Sequence, residues 1–196
     1  MNNRFSEALR DELDIELVGP FELLSRDWIP DASEDFSCCY RYFHDPPEFV
    51  TVFAAPSGFY HVGYFRVGLR INLHNGIGYR PVPLSNSELV NLLQKIVQST
   101  DAKTKVPHQA KLDELVTLVQ FANDEGDFGE GLELGLDLLA FHPKGENLQS
   151  ASCFNSTISL LLSTGYQLAG RPQFAEVINR HMKNRCIEPT SLKTNS

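Results

Sequence analysis

Ser85-Asn86-Ser87-Glu88-Leu89-Val90-Asn91-Leu92-Leu93-Gln94-Lys95-Ile96-Val97 is where the character of the chain changes. Ser85 and Glu88 are spaced as a capping box, in which each side chain satisfies an orphan backbone donor at a helix start. Leu89, Leu92, Leu93, Ile96 and Val97 then recur as one stripe at helical spacing. Beyond this segment the helical period continues. Leu112, Leu115, Val116 and Val119 mark a second helix, and Leu132, Leu136 and Leu139 a third, entered through Gly126, Gly129 and Gly131. Residues 156–169 and 172–184 predict two more, split at Gly170 with Pro172 near the first helical position. Before Ser85 the pattern differs. A short helix is predicted over 5–17, closed by Gly19-Pro20, followed by strand-like runs at 38–43, 49–54 and 59–67. The last two are separated by Ala55-Pro56-Ser57-Gly58, turn chemistry that predicts an antiparallel hairpin. A fourth strand is predicted at 69–73, ending at the turn signal His74-Asn75-Gly76. The reading is α+β: a small antiparallel N-terminal sheet over 1–76, a helical C-terminal domain over 77–188, and a polar tail at 189–196 expected to fray.

Composition narrows the function classes. The 196 residues carry a formal charge of −8 and a pI near 5.2, with 42% apolar and 10% aromatic residues, too rich for a disordered chain. No run of apolar residues is long enough to span a bilayer, so no membrane association is expected, and MNNRFSEALRDELDIE lacks the features of a secretory signal. An acidic chain does not attract phosphates by bulk charge, so no direct nucleic-acid binding is expected. Cys38, Cys39, Cys153 and Cys186 show no CxxC spacing, which predicts neither a disulfide framework nor a zinc site and fits a reducing compartment. Charge is unevenly spread: residues 112–143 hold 8 acids and no Lys or Arg, on apolar-periodic sequence that is therefore structured.

The densest polar cluster is Asn123-Asp124-Glu125-Gly126-Asp127-Phe128-Gly129-Glu130, where one helix stops and another begins. Paired carboxylates there can serve as a general base. The simpler reading, favoured by spacing alone, is an acidic helix N-terminus stabilised by the helix dipole. A calcium loop does not fit: starting it at Asn123 puts Phe128 at the sharp-turn glycine and Leu134 at the bidentate glutamate. Tyr79-Arg80 precedes the first C-terminal helix, where an arginine fork could grip a partner carboxylate, although the residues alone favour an ordinary linker arginine. Gly76-Ile77-Gly78 lacks the rest of a phosphate loop, no histidine pair has HxxxH spacing, and no serine sits in a Gly-x-Ser-x-Gly elbow. His61, alternating in a strand, reads as a half-buried structural residue, and no metal site is expected.

Residues 117–138, Thr-Leu-Val-Gln-Phe-Ala-Asn-Asp-Glu-Gly-Asp-Phe-Gly-Glu-Gly-Leu-Glu-Leu-Gly-Leu-Asp-Leu, resemble the signature of the histone PARylation factor family. Leu17-Val18-Gly19-Pro20-Phe21, Asp45-Pro46-Pro47-Glu48-Phe49, His61-Val62-Gly63-Tyr64-Phe65-Arg66, Gly78-Tyr79-Arg80 and Phe174-Ala175-Glu176-Val177-Ile178 agree in the same order. The resemblance departs at residues 142–156, where no interface residue is carried over, and more seriously in the middle of the chain. Between Phe65-Arg66 and Gly78-Tyr79 the family carries a long segment of sheet and helix, whereas only 12 residues, 67–78, connect them here. An incomplete sheet with uncovered edges is therefore expected.

The resemblance implies an accessory factor, not a stand-alone enzyme. Such factors dock on the catalytic domain of a nuclear poly(ADP-ribose) polymerase, which holds the NAD, and direct ADP-ribosylation to serine on histones and other proteins in the DNA damage response at the chromosome. It implies a catalytic role for Glu125 and partner-binding roles for Asp124, Tyr79, Arg80 and Phe121. No cofactor of its own, a monomeric state and nuclear residence are expected. The shortened middle leaves open a second reading, a non-catalytic interaction module or inactive reduced relative. A free-standing enzyme using Asp124 and Glu125 is disfavoured, because no nucleophile, metal site or cofactor cradle accompanies them.

Overall fold

In the computed structural model, residues 3–25, 36–56, 60–66 and 82–185 are described. The chain divides into two units, with residues 3–66 in the first and 82–185 in the second.

The first unit is built on helix α1 (Asn3–Leu13), strand β1 (Glu16–Leu17), helix α2 (Pro20–Ser25), and strands β2 (Phe49–Ala54) and β3 (His61–Phe65). Among the described residues the strands form an antiparallel sheet in the order β1-β2-β3. The predicted hairpin is present: Phe49 pairs with Phe65 and Ala54 with His61, with a bulge between Thr51 and Phe53. The predicted 5–17 helix stops earlier. Asp14 takes a positive φ, and Glu16 and Leu17 pair with Ala54 and Phe53, because sheet edge bonds outweigh the last turn of an isolated helix.

The strand expected at 38–43 is absent; those residues form tight turns. The Cys39 N–H donates to Phe36 O and the Arg41 N–H to Cys38 O, and Tyr40 has a positive φ. Tyr40, Arg41, Tyr42 and Phe43 are buried consecutively, not alternately, so their aromatic content signalled burial and not pleating. Side chains fasten this turn to the sheet: Thr51 Oγ1 donates to Tyr40 O at 2.7 Å, and Asp45 Oδ2 accepts from the Tyr42 N–H at 2.9 Å. Asp45 Oδ1 lies 2.9 Å from His61 Nε2, and Tyr42 stacks flat on the His61 ring at 3.7 Å. His61 is thus the half-buried structural residue expected from its place in β3. The predicted strand at 69–73 lies outside the described residues.

The second unit comprises helices α3 (Asn86–Gln98), α4 (Ala102–Asp124), α5 (Gly129–Ala140), a 3-10 turn (Leu148–Phe154), α6 (Asn155–Leu168) and α7 (Pro172–Lys183). The capping box at Ser85 and Glu88 forms as expected, and Leu89, Leu92, Leu93 and Ile96 are buried. α4 starts a full ten residues ahead of its predicted stripe. Asp101 caps it by accepting from the Thr104 N–H at 2.8 Å, while its first turns carry no apolar face to betray them. Sequential helices pack on one another: α3 on α4, α4 on α5, α5 on α6, and α6 on α7.

α5 is the centre of this unit. Leu132, Leu134, Leu138 and Leu139 are all buried, whereas Leu136, predicted in the stripe, is only half-buried. A helix clasped on two sides shows no single face, so the three-residue stripe underestimated its burial. Close approach to α6 rests on two glycines. A Cβ at Gly135 would stand 2.6 Å from Leu162 Cδ2, and one at Gly165 would stand 2.8 Å from Leu132 Cδ2. The ends of α5 and α6 are tied by the buried Arg185, which donates to Leu139 O at 2.8 Å and to Asn155 Oδ1 at 3.0 Å.

Candidate functional site

The sequence Asn123-Asp124-Glu125-Gly126-Asp127 ends α4 through backbone bonds. The Asp127 N–H donates to Ala122 O at 2.8 Å and the Gly126 N–H to Asn123 O at 3.0 Å, with Gly126 at φ +86°. This is the Schellman stop, which needs a left-handed residue just past the cap; glycine reaches that conformation without a Cβ penalty. Its consequence is positional. Glu125 becomes the cap residue, its N–H spent on Phe121 O and Ala122 O, while its side chain is exposed.

Leu112, Leu115, Val119 and Ala122 bury one side of α4, which leaves the other side outward. Glu114, Leu118, Phe121 and Glu125 follow one another at spacings of four, three and four, so they share that outer face. Phe121 is 60% exposed and Leu118 41% exposed, an apolar patch leading to the carboxylate. Asp124, also exposed, lies one residue before it at the last position of the helix. Phe121, Asp124 and Glu125 are therefore brought together at one helix end. Leu118 was missed by sequence reasoning; its place at the edge of the buried stripe, between that stripe and Phe121, was the available signal. Tyr79 and Arg80 lie outside the described residues.

The dipole reading needs correction for the central pair. Asp124 and Glu125 stand at the C-terminal end of α4, where the macrodipole disfavours an anion by about 0.3–1 kcal/mol. Only the later acids enjoy an N-terminus: Asp127 Oδ1 accepts from the Gly129 N–H at 3.2 Å, and Glu130 lies buried in the first turn of α5. The acidic block thus splits at Gly126 into two carboxylates that stabilise a helix start and two that do not serve a helix end.

Along α5, burial raises the Asp137 carboxyl above its ordinary range, and burial together with the Asp137 charge raises Glu133. Burial holds the Arg185 guanidinium down to about 9 and pushes the Cys153 thiol up. Among the described residues no cluster of three or more His, Cys, Asp or Glu could hold a metal ion, and no helix is long and apolar enough to cross a membrane. What remains is a carboxylate at an exposed helix end beside an aromatic ring. Such a group is placed where a molecule brought to it could give up a proton.

A sequence model described as Histone PARylation factor 1 matches residues 1–68 and 66–185. A protein of that name from Danio rerio is 24% identical over 273 aligned positions, covering 91% of this chain and 76% of the relative. Those from Mus musculus and Bos taurus are 33% and 37% identical over 114 and 111 positions, covering 58% and 57% of this chain. The matched stretch spans only 31% and 30% of the length of those two relatives. An alignment of 273 positions exceeds the 196 residues present by 77, so at least that many positions of the zebrafish alignment have no counterpart here. The two matched pieces of the family model meet at 66–68, directly after β3, where the sequence departs from its resemblance. With both pieces in order and covering nearly the whole chain, the chain belongs to the Histone PARylation factor 1 family.

Proposed function

We propose that this chain is an accessory factor that docks on the catalytic domain of a poly(ADP-ribose) polymerase and lends it Glu125 as a general base for serine. The observation that carries this reading is the placement of Asp124 and Glu125: exposed, beside Phe121, at a helix end whose dipole does not favour them. A base for a docked acceptor has to be reachable from outside the chain, and both carboxylates are exposed.

A serine hydroxyl is a weak nucleophile until its proton is removed, and a positioned base contributes about 10²–10⁴-fold. The polymerase supplies NAD. The Glu125 carboxylate accepts the Oγ proton as the new bond from Oγ to the ribose carbon forms and the bond to nicotinamide breaks. Phe121 and Leu118 supply apolar contact area to the polymerase, and Asp124 aligns the interface or the acceptor. Tyr79 and Arg80 extend the docking surface, with the Arg80 fork on a polymerase carboxylate. The acceptors are serines on histones and other proteins, the setting is the nucleus and the DNA damage response, and this chain acts as a monomer without a cofactor of its own.

A second reading, a docking module without chemistry, is favoured by the internal segment missing after β3. The two separate in one assay: modification of a serine-containing histone peptide by a polymerase catalytic domain with NAD, with and without this chain. Serine transfer that depends on this chain supports the catalytic reading. Binding without serine transfer supports the module.

A further inference from the structure

Asp127 stands in the same acidic run as Asp124 and Glu125 but is turned inward. Asp124, Glu125 and Gly126 are exposed, whereas Asp127 is only 5% exposed. Its bonds lead to two helices. The Asp127 N–H donates to Ala122 O at 2.8 Å, in the last turn of α4, and Asp127 Oδ1 accepts from the N–H of Gly129, the first residue of α5, at 3.2 Å. Those helices meet just beyond: a Cβ at Gly131 would stand 3.0 Å from Val119 Cγ1, so the start of α5 lies directly against α4. The connection from Glu125 to Phe128 is therefore bracketed by two packed helices, and Asp127 is bonded to both.

Glu125 lies inside that bracket. Its N–H is spent on Phe121 O and Ala122 O, so Ala122 O accepts from both Glu125 and Asp127. The Asp127 bond is the one beyond Gly126, where the chain reverses at φ +86°. Helix ends fray, and a glycine at the end widens the choice of backbone conformations once the closing bond opens. A buried side chain bonded to α5 opposes that opening at the residue where it starts. The direction of the Glu125 side chain depends on the closed turn, because Glu125 is the cap residue of α4.

We propose that Asp127 is a positioning residue: it keeps the α4 terminus closed and thereby fixes where the Glu125 carboxylate stands relative to Phe121 and Leu118. Its catalytic consequence rests on the reading of Glu125 as the base. A base has to come within about 2.6–3.2 Å of the proton it takes, and a displacement of about 1 Å costs on the order of 10²-fold. Docking draws on Phe121 and Leu118, one and two turns back along α4, and is spared.

The test compares Asp127→Ala, which keeps the N–H but removes Oδ1, with Asp127→Asn, which retains an acceptor oxygen. In the full chain alone, amide exchange at Gly126 and Gly129 should quicken about fivefold or more in Asp127→Ala, and by more than at 112–119, while Asp127→Asn stays near the parent. With the polymerase catalytic domain, NAD and a histone peptide, Asp127→Ala should lower kcat for serine transfer about tenfold or more, with polymerase affinity and peptide KM within a few-fold. Asp127→Asn should restore most of that kcat. In a Glu125→Gln background Asp127→Ala should cost no further transfer, because a residue that acts through Glu125 then has no base to place. Three results would overturn the proposal: amide exchange unchanged by Asp127→Ala, a loss of kcat that Asp127→Asn does not rescue, or a full additional loss on top of Glu125→Gln. Full serine transfer by Glu125→Gln alone would instead refute the base, and the amide exchange would still decide whether Asp127 holds the turn.

Discussion

Glu125→Gln removes the carboxylate at the α4 terminus while keeping the length of the side chain and the backbone bonds around it. The α4 terminus is held by backbone bonds from residues 125, 126 and 127 and by Gly126 in the left-handed region, none of which uses the Glu125 carboxylate. Glutamine keeps size and reach and removes the anion from the negative end of the helix, a change worth about 0.3–1 kcal/mol in favour of folding. For a unit of this size 1 kcal/mol moves Tm by about 4–8 °C, so the variant should melt no lower than the parent and up to a few degrees higher. Polymerase affinity should stay within a few-fold. Serine transfer should fall by at least ~10²-fold, the low end for a lost general base, equivalent to about 2.7 kcal/mol of barrier. The checks are a thermal melt, a binding titration against the polymerase catalytic domain, and serine-specific modification of a histone peptide. Full serine transfer by a well-folded Glu125→Gln would refute the base assignment. A melt lowered by several degrees would refute the claim that the carboxylate does not serve the helix end.

Arg80→Ala should weaken polymerase binding by about 2–5 kcal/mol if the guanidinium pairs with a desolvated carboxylate; an unchanged Kd in the same titration removes it from the interface. Gly126→Ala meets open space, yet it holds a residue with a Cβ at φ +86°, so denaturant melts should show a loss of about 1–2 kcal/mol. Asp137→Asn addresses pH. With the folded carboxyl raised above its ordinary 3.8, the folded state binds the proton more tightly, so this residue destabilises increasingly as pH rises from 3.8 through the raised value. The variant should therefore be more stable than the parent at pH 7, with the difference vanishing below pH 3.8; a constant difference across that range would show that burial of the charge is not the cause.

Several features were legible in the chain because they rest on neighbours close in sequence. The capping box at Ser85, the stripe of α3, Pro172 opening α7 and the β2–β3 hairpin each arise from contacts within a few residues, and the structure has all four. The acidic pair was also visible as a junction, and its resemblance to one family was carried by the contiguous run 117–138. Tertiary packing decided the rest. The 38–43 run looked like a strand, but Arg41 and Thr51 hold it as a buried turn through bonds to residues up to eleven positions away, and no local pattern encodes them. α5 hid its central position because a helix buried on two sides loses its amphipathic period. The ends of α4 were ambiguous for another reason. An acid beside a glycine can open a helix or close one, and the dipole rewards only the first. Which of the two applies to Asp124 and Glu125 is settled by the Ala122 and Asn123 carbonyls bonding back across Gly126, a geometry that exists only once the helix has folded.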